Sequence, residues 1–291
     1  MAVEPGAFRV ERLGSVGATL PDVDLRAIDD VGFAAIRAAL YAHGLLVLRD
    51  QAIGHAEQVA FARRFGALEG LGRETGGEHP EVIAISNLGP DGRVLPRSDA
   101  QMMSLAVNEQ WHTDSSFREV PSTVSVFRAA VLPESGGDTW YASLRAGWLA
   151  LSEAERAELV DLRAVHDYAR SWQRLGATAP AVFRQAPVRH PLVRVHPETG
   201  EPSLYLSDHA YEIEGRTRDG GGEGDKGRAL IERLLDICTQ PEVVYRHQWR
   251  PGDVLVWDNR TMLHRAQGFD ETHPRVMYHV RVAGEPLAAT G

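Results

Sequence analysis

Trp111-His112-Thr113-Asp114-Ser115-Ser116-Phe117 carries a histidine and a carboxylate two positions apart, and the reading of that pair decides how the rest of the chain is understood. On an extended backbone, side chains at i and i+2 leave the same face, so His112 and Asp114 can share one ion. Two histidines and one carboxylate on one face of an octahedral ion leave three positions open. Non-haem iron(II) oxygenases use that arrangement to admit a co-substrate and O2. The pair alone is weak, because a chain with 12 histidines yields about one H-x-D by chance. His79-Pro80-Glu81 and His196-Pro197-Glu198 repeat the spacing, but their central prolines mark turns or strand ends. A third candidate ligand, His264, follows Asp253-Val-Leu-Val-Trp257-Asp258-Asn259-Arg260, an apolar strand with a polar end. It can reach His112 and Asp114 from across a barrel. Spacing alone fits this metal set and a set of satisfied structural histidines equally.

Outward from His264 the final third is rich in strands, expected at Leu192–Val195, Ser203–Leu206, Val243–Trp249, Asp253–Trp257 and Val276–Val282. Upstream, Leu45-Leu46-Val47-Leu48 reads as a buried strand, Val82–Ile85 as a short one, and Thr123–Ala130 as another. Asp29-Asp30 before Phe33, Ile36 and Leu40, with Gly44 at the end, predicts a capped helix. His55–Phe65, Ser152-x-x-Glu155 through Val160, and Arg228–Cys238 predict three more. Residues 93–110 read as a polar, irregular loop around Met102-Met103, of the kind that lids a site. The pattern predicts a mainly β chain with decorating helices, a sandwich or jelly roll, in a single domain over 1–291.

Composition narrows the function. A net charge of −9 argues against a nucleic-acid partner, since phosphate binding needs an excess of Lys and Arg on some face. The single cysteine, Cys238, allows no internal disulfide and reads as a small buried hydrophobe. Met1-Ala-Val-Glu-Pro-Gly-Ala lacks a signal-peptide pattern, and no apolar run reaches the ~20 residues that span a bilayer. We expect a cytoplasmic enzyme with no membrane partner, working as a homo-oligomer. Gly222-Glu-Gly224-Asp-Lys-Gly227 formally matches G-x-G-x-x-G but follows a polar stretch rather than a strand, so a flexible loop over 216–227 is the better reading. No G-x-S-x-G supports serine hydrolase chemistry.

With Gly136-Gly137-Asp138-Thr139, Trp257-Asp258-Asn259-Arg260, Leu263-His264-Arg265 and Arg275, the opening heptad resembles the taurine dioxygenase/TfdA family of 2-oxoglutarate-dependent dioxygenases. The likeness takes in Gly17-Ala-Thr-Leu, Phe61-Ala-Arg-Arg-Phe65-Gly66 and His196-Pro-Glu-Thr-Gly200, and so covers most of the chain. Ile85-Ser86-Asn87, Tyr245-Arg246-His247-Gln248-Trp249 and Pro274-Arg275-Val276-Met277 are most similar to the aryloxyalkanoate dioxygenases. The resemblance implies a double-stranded β-helix fold. It implies iron(II) on His112, Asp114 and His264, and 2-oxoglutarate held by Arg275 and Thr139, with O2 as the second co-substrate. The co-substrate is expected to leave as succinate and CO2 while a small anionic substrate is hydroxylated. A guanidinium fork suits a carboxylate, and a hydroxyl can supply a further hydrogen bond.

On the substrate side the chain departs from part of the family, because His279 stands where an arginine binds the substrate anion, and Arg281 lies two residues further on. On a strand, 275, 277, 279 and 281 share one face, so His279 or Arg281 can reach the pocket; Arg281 is the better permanent cation. Asn108 matches a position that contacts substrate, with an ordinary loop residue as the equal alternative, and His209 is balanced the same way. Met102-Met103 can wall an aromatic pocket. The expected substrate is an aryloxyalkanoate of the phenoxyacetate or 2-phenoxypropionate type, cleaved at its ether to a phenol. The rivals are a sulfonate or alkyl sulfate dioxygenase and an inactive metal-binding β-barrel that serves as a binder or sensor.

Overall fold

The apolar run at 45–48 explains the layering seen in a computed structural model of the protein, which describes residues 8–70, 78–214 and 223–285. All four residues of the strand Leu45–Leu48 are buried, because alternate side chains enter two different cores. Leu46 and Leu48 pack with Ile36, Leu40, Phe61, Val126 and Val256. Leu45 and Val47 pack with Phe127, Tyr141, Leu255, Trp257 and Met277. A strand covered on both faces shows no polar alternation.

That strand belongs to a seven-stranded sheet in the order Glu11–Arg12, Ala18–Thr19, Leu45–Leu48, Val254–Asp258, Val124–Val131, Val276–Val282, Ile83–Ser86. Its even-numbered core residues meet the helices Asp30–His43 and His55–Arg63. Odd-numbered ones meet a three-stranded sheet ordered Val244–His247, Thr139–Ser143, Met262–Ala266. In that second sheet Ala142 and Leu263 face away, into a third core with Ile231, Leu234 and Cys238 of the helix Glu223–Cys238. The two-residue period of each strand therefore sorts side chains into outer cores and a gap between sheets.

The expected helices are present, with their caps. Asp29 accepts from the Gly32 N–H at 2.7 Å, and Gly44, at φ 75°, closes the helix with its N–H on the Leu40 carbonyl. Ser152 and Glu155 form the predicted capping box. Cys238 is buried, as expected.

Two expectations fail. Residues 93–110 are not irregular throughout: Ala100–Val107 is a helix whose N-cap, Asp99, accepts from the Gln101 N–H. Only half of that stretch carries a helical signal, and the cap lies in its polar half. The loop expected over 216–227 ends earlier, since the helix Glu223–Cys238 begins inside it; residues 215–222, like the segment 1–7, lie outside the described residues. The strands Arg163–His166, Val188–Pro191 and Ala210–Glu214 form a further sheet that the sequence reading passed over. Among the described residues no helix is long and apolar enough to cross a membrane.

Candidate active site

The gap between the sheets is a cavity of about 480 Å³, bordered by His112, Asp114, Thr139, His264, Arg275, His279 and Arg281, and by Asn108 and His209. His112 and His264, far apart in sequence, meet as a backbone pair: each N–H donates to the other's carbonyl, at 2.9 and 2.8 Å. Asp114 follows two residues later. The ligand atoms of His112, Asp114 and His264 all lie within 4.8 Å of one another. His264 Nε2 is 3.8 Å from Asp114 Oδ2, too long for a hydrogen bond and suited to two ligands of one ion.

The surroundings match this donor set. His112 Nδ1 lies 2.7 Å from the Gln110 carbonyl, so an N–H there leaves Nε2 as the lone-pair donor. Burial, reinforced by His112, keeps His264 neutral and far below its ordinary pKa, the form that ligates. Burial alone would raise the Asp114 carboxyl. His279, His264 and Arg281 outweigh it and hold Asp114 well below the usual carboxylate range. Ser125 Oγ donates to Asp114 Oδ2 at 2.7 Å and accepts from Asn259 Nδ2 at 2.9 Å, while Asn259 Oδ1 accepts from the Asp114 N–H and the Trp257 indole. Two imidazoles and an oriented carboxylate fit iron(II). Ser125 and Asn259 were given no role in the sequence reading, although Asn259 lies within the quoted Trp257–Arg260 motif.

Arg275 shows what the cavity takes besides a metal. Its guanidinium is buried and has no ion pair among the described residues; Nη2 donates to the Gly137 carbonyl, and Nε has no partner. Burial lowers its pKa to about 10, with Tyr141 and Asp138 opposing. Gly137, at φ 70°, permits the approach, because a Cβ there would stand 2.8 Å from Arg275 Nε. A buried cation without a carboxylate is costly unless a ligand supplies one. Thr139 Oγ1 accepts from the Trp249 indole at 3.0 Å, which leaves its own hydrogen free to donate.

The substrate side differs. His279 Nε2 lies 3.5 Å from Asp114 Oδ2 without a hydrogen bond, and burial lowers its pKa to about 4 against the pull of Asp114. It is neutral near pH 7 and cannot be a standing cation. Arg281 is not free: its Nε lies 2.8 Å from Glu69 Oε2. His209 holds Nδ1 at 2.7 Å from Ser171 Oγ and sits against Phe117 and Tyr168. Phe117 stacks on Tyr168 at 4.6 Å, and Tyr168 meets Phe183 edge-on at 5.2 Å, forming an aromatic wall. The expectation for Met102-Met103 fails: Met102 is buried, Met103 packs beside Trp172, and Ala100, Gln101, Ser104, Leu105 and Asn108 border the cavity instead. A helical period, unread in the sequence, turns that pair away. Tyr168 and Phe183 carried no sequence signal. The decoys behave as expected, with His79 and His196 at turns and His196 Nε2 on Asp258.

Comparison with known proteins gives the family. Residues 9–282 match the family described as taurine catabolism dioxygenase TauD, TfdA family, and the chain belongs to it. It is a 2-oxoglutarate-dependent dioxygenase whose cofactor and co-substrates are iron(II), 2-oxoglutarate and O2. A (S)-phenoxypropionate/alpha-ketoglutarate-dioxygenase of Delftia acidovorans is 41% identical over 94% of this chain and 93% of its own. An alpha-ketoglutarate-dependent 2,4-dichlorophenoxyacetate dioxygenase of Cupriavidus pinatubonensis is 37% identical over 87% and 89%. The crystal structure of AAD-2 in complex with Mn(II) and N-oxalylglycine superposes with a TM-score of 0.86 at 34% identity, covering 97% of this chain and 99% of the other. An alkylsulfatase is less similar, at 31%.

Proposed function

We propose that this enzyme hydroxylates an aryloxyalkanoate of the phenoxyacetate or 2-phenoxypropionate type at the carbon bearing the ether oxygen. The product, a hemiacetal or hemiketal, loses its hydroxyl proton as the ether C–O bond breaks, releasing a phenol and an α-keto or aldehyde acid. The observation that carries this reading is the wall of Phe117, Tyr168 and Phe183, which lines the same cavity as the His-Asp-His set and Arg281. The rings suit an aryl group and the guanidinium an anion.

His112, Asp114 and His264 hold the iron, with Ser125 and Asn259 fixing the carboxylate. Arg275 takes the distal carboxylate of 2-oxoglutarate and Thr139 donates to it. Iron(II) with 2-oxoglutarate supplies the oxidation by O2, one oxygen atom going to the substrate and one to succinate, with loss of CO2. Arg281 pairs with the substrate carboxylate, His279 fills the space beside Asp114 as a neutral imidazole, and Asn108 and His209 line the remaining wall. Closely packed rings exclude water from the reacting carbon.

The same reading takes the chain as one domain folded as a double-stranded β-helix, acting as a homo-oligomer in the cytoplasm. The facing sheets support the fold, and the net charge of −9 supports a small-molecule partner over nucleic acid. A panel of phenoxy acids, alkyl sulfonates and sulfate esters, scored by succinate formation, tests it. Preference for a sulfate ester or sulfonate would replace the substrate assignment, and no succinate with any of them would remove it.

A further inference from the structure

Glu69 is a buried carboxylate beside the substrate end of the cavity, and it gathers two hydroxyl donors and two guanidinium groups. Ser115 Oγ reaches it at 2.7 Å and Ser122 Oγ at 2.9 Å; Arg118 Nη1 lies at 2.9 Å and Arg281 Nε at 2.8 Å. Its side chain is 6% exposed, against 15% for Arg281 and 29% for Arg118. Buried carboxylates are paired, but one partner would suffice. Here two guanidinium groups converge on one carboxylate, and both arginines border the cavity. The charges sum to one net positive.

Neither arginine spends its full fork on Glu69. Arg281 meets Glu69 as an ion pair through Nε, which makes no hydrogen bond among the described residues. Arg118 pairs through Nη1, which also donates to the Gly70 carbonyl, while its buried Nε has no hydrogen-bond partner among the described residues. Its backbone is held as well, the carbonyl lying 3.0 Å from His190 Nε2. Two braced cations with unspent N–H groups at a cavity wall form an anion receptor.

We propose that the substrate carboxylate is bound by the pair Arg118 and Arg281, with Glu69 as the positioning residue that sets their spacing. This rests on the reading of the substrate as a small carboxylic acid, and it adds a second cation and a brace to Arg281. One excess positive charge suits a monoanion. Glu69 also anchors Ser115, a non-glycine residue at φ 57° next to Asp114, so the substrate receptor and the metal-bearing segment share one support.

The test is calorimetric binding to the protein loaded with Mn(II) and N-oxalylglycine, comparing phenoxyacetate with its neutral amide, phenoxyacetamide. Arg118→Met should weaken the acid about tenfold or more and change the amide less than about twofold, since only the acid loses a charge-assisted hydrogen bond. Arg118→Lys should restore part of the loss. Glu69→Gln should weaken the acid as well, although it removes a negative charge, because the brace is lost. Wild-type affinity in Arg118→Met, or equal loss of acid and amide, would overturn the receptor. Tighter binding of the acid by Glu69→Gln would overturn the brace. If the wild type binds an alkyl sulfate and not phenoxyacetate, the substrate reading fails; loss of the sulfate in Arg118→Met still supports the receptor, and no loss overturns it.

Discussion

Arg275 and Arg281 leave the same face of one strand region, yet the protein treats them in opposite ways. Arg275 is buried against the Gly137 carbonyl and has no ion pair among the described residues. Arg281 meets Glu69 at 2.8 Å, with Arg118 on the other side of that carboxylate. An unpaired buried cation is tolerable when every turnover brings the same carboxylate, and in the proposed reading 2-oxoglutarate is that partner. The proposed substrate end is braced by Glu69 without a ligand. The difference separates a site that is completed by its ligand from one that is pre-organised for it.

The largest effect that tests this division comes from the metal set both arginines serve. Asp114→Ala should lower succinate formation about a thousandfold or more, because a catalytic metal contributes several kcal/mol. Iron content should fall with it; full activity with bound iron would remove Asp114 from the ligands. Next, Arg275→Ala should raise the KM for 2-oxoglutarate about a hundredfold, the scale of a buried, hydrogen-bonded charge pair losing one partner. The KM for the primary substrate should move little, and the reverse pattern would exchange the two ends of the cavity.

Arg281→Ala should raise the primary-substrate KM about tenfold, less than the Arg275 effect because Arg118 remains, and leave 2-oxoglutarate nearly unchanged. Equal loss of both would place Arg281 outside the substrate end. Smaller still, Trp249→Phe removes the indole donor to Thr139. It should raise the 2-oxoglutarate KM a few-fold, about the effect of one neutral hydrogen bond; an effect confined to the primary substrate would contradict the assignment of Thr139.

Acid should destabilise the fold. Burial holds His190, which supports the Arg118 backbone, at about 4 against an ordinary 6.5. The unfolded chain therefore binds the proton first, and the stability from the neutral imidazole is lost as pH falls from about 6.5 toward 4. Burial also keeps His166 and His209 far below their ordinary pKa, with the same sign. The Tm should drop between about pH 7 and pH 5, and His190→Gln should flatten that slope; an unchanged slope would exclude His190 as a contributor.

Local chemistry made much of this legible. The run at 45–48, the caps at Asp29 and Ser152, and the one-face order of residues 275, 279 and 281 follow from backbone periods and short-range hydrogen bonds, which a sequence carries directly. Periods and spacing offered His112, Asp114 and His264 as one possible metal set, and it was the family resemblance that marked Thr139 and Arg275 for the co-substrate. Tertiary structure decided the rest. It brought His112 and His264 together through a backbone pair between remote segments. Burial made His279 neutral, Glu69 claimed part of Arg281, and the helix Ala100–Val107 turned Met102 inward while Tyr168 and Phe183 formed the wall. Each of those outcomes depends on desolvation or on a partner distant in sequence, and neither is written in the residues near the site.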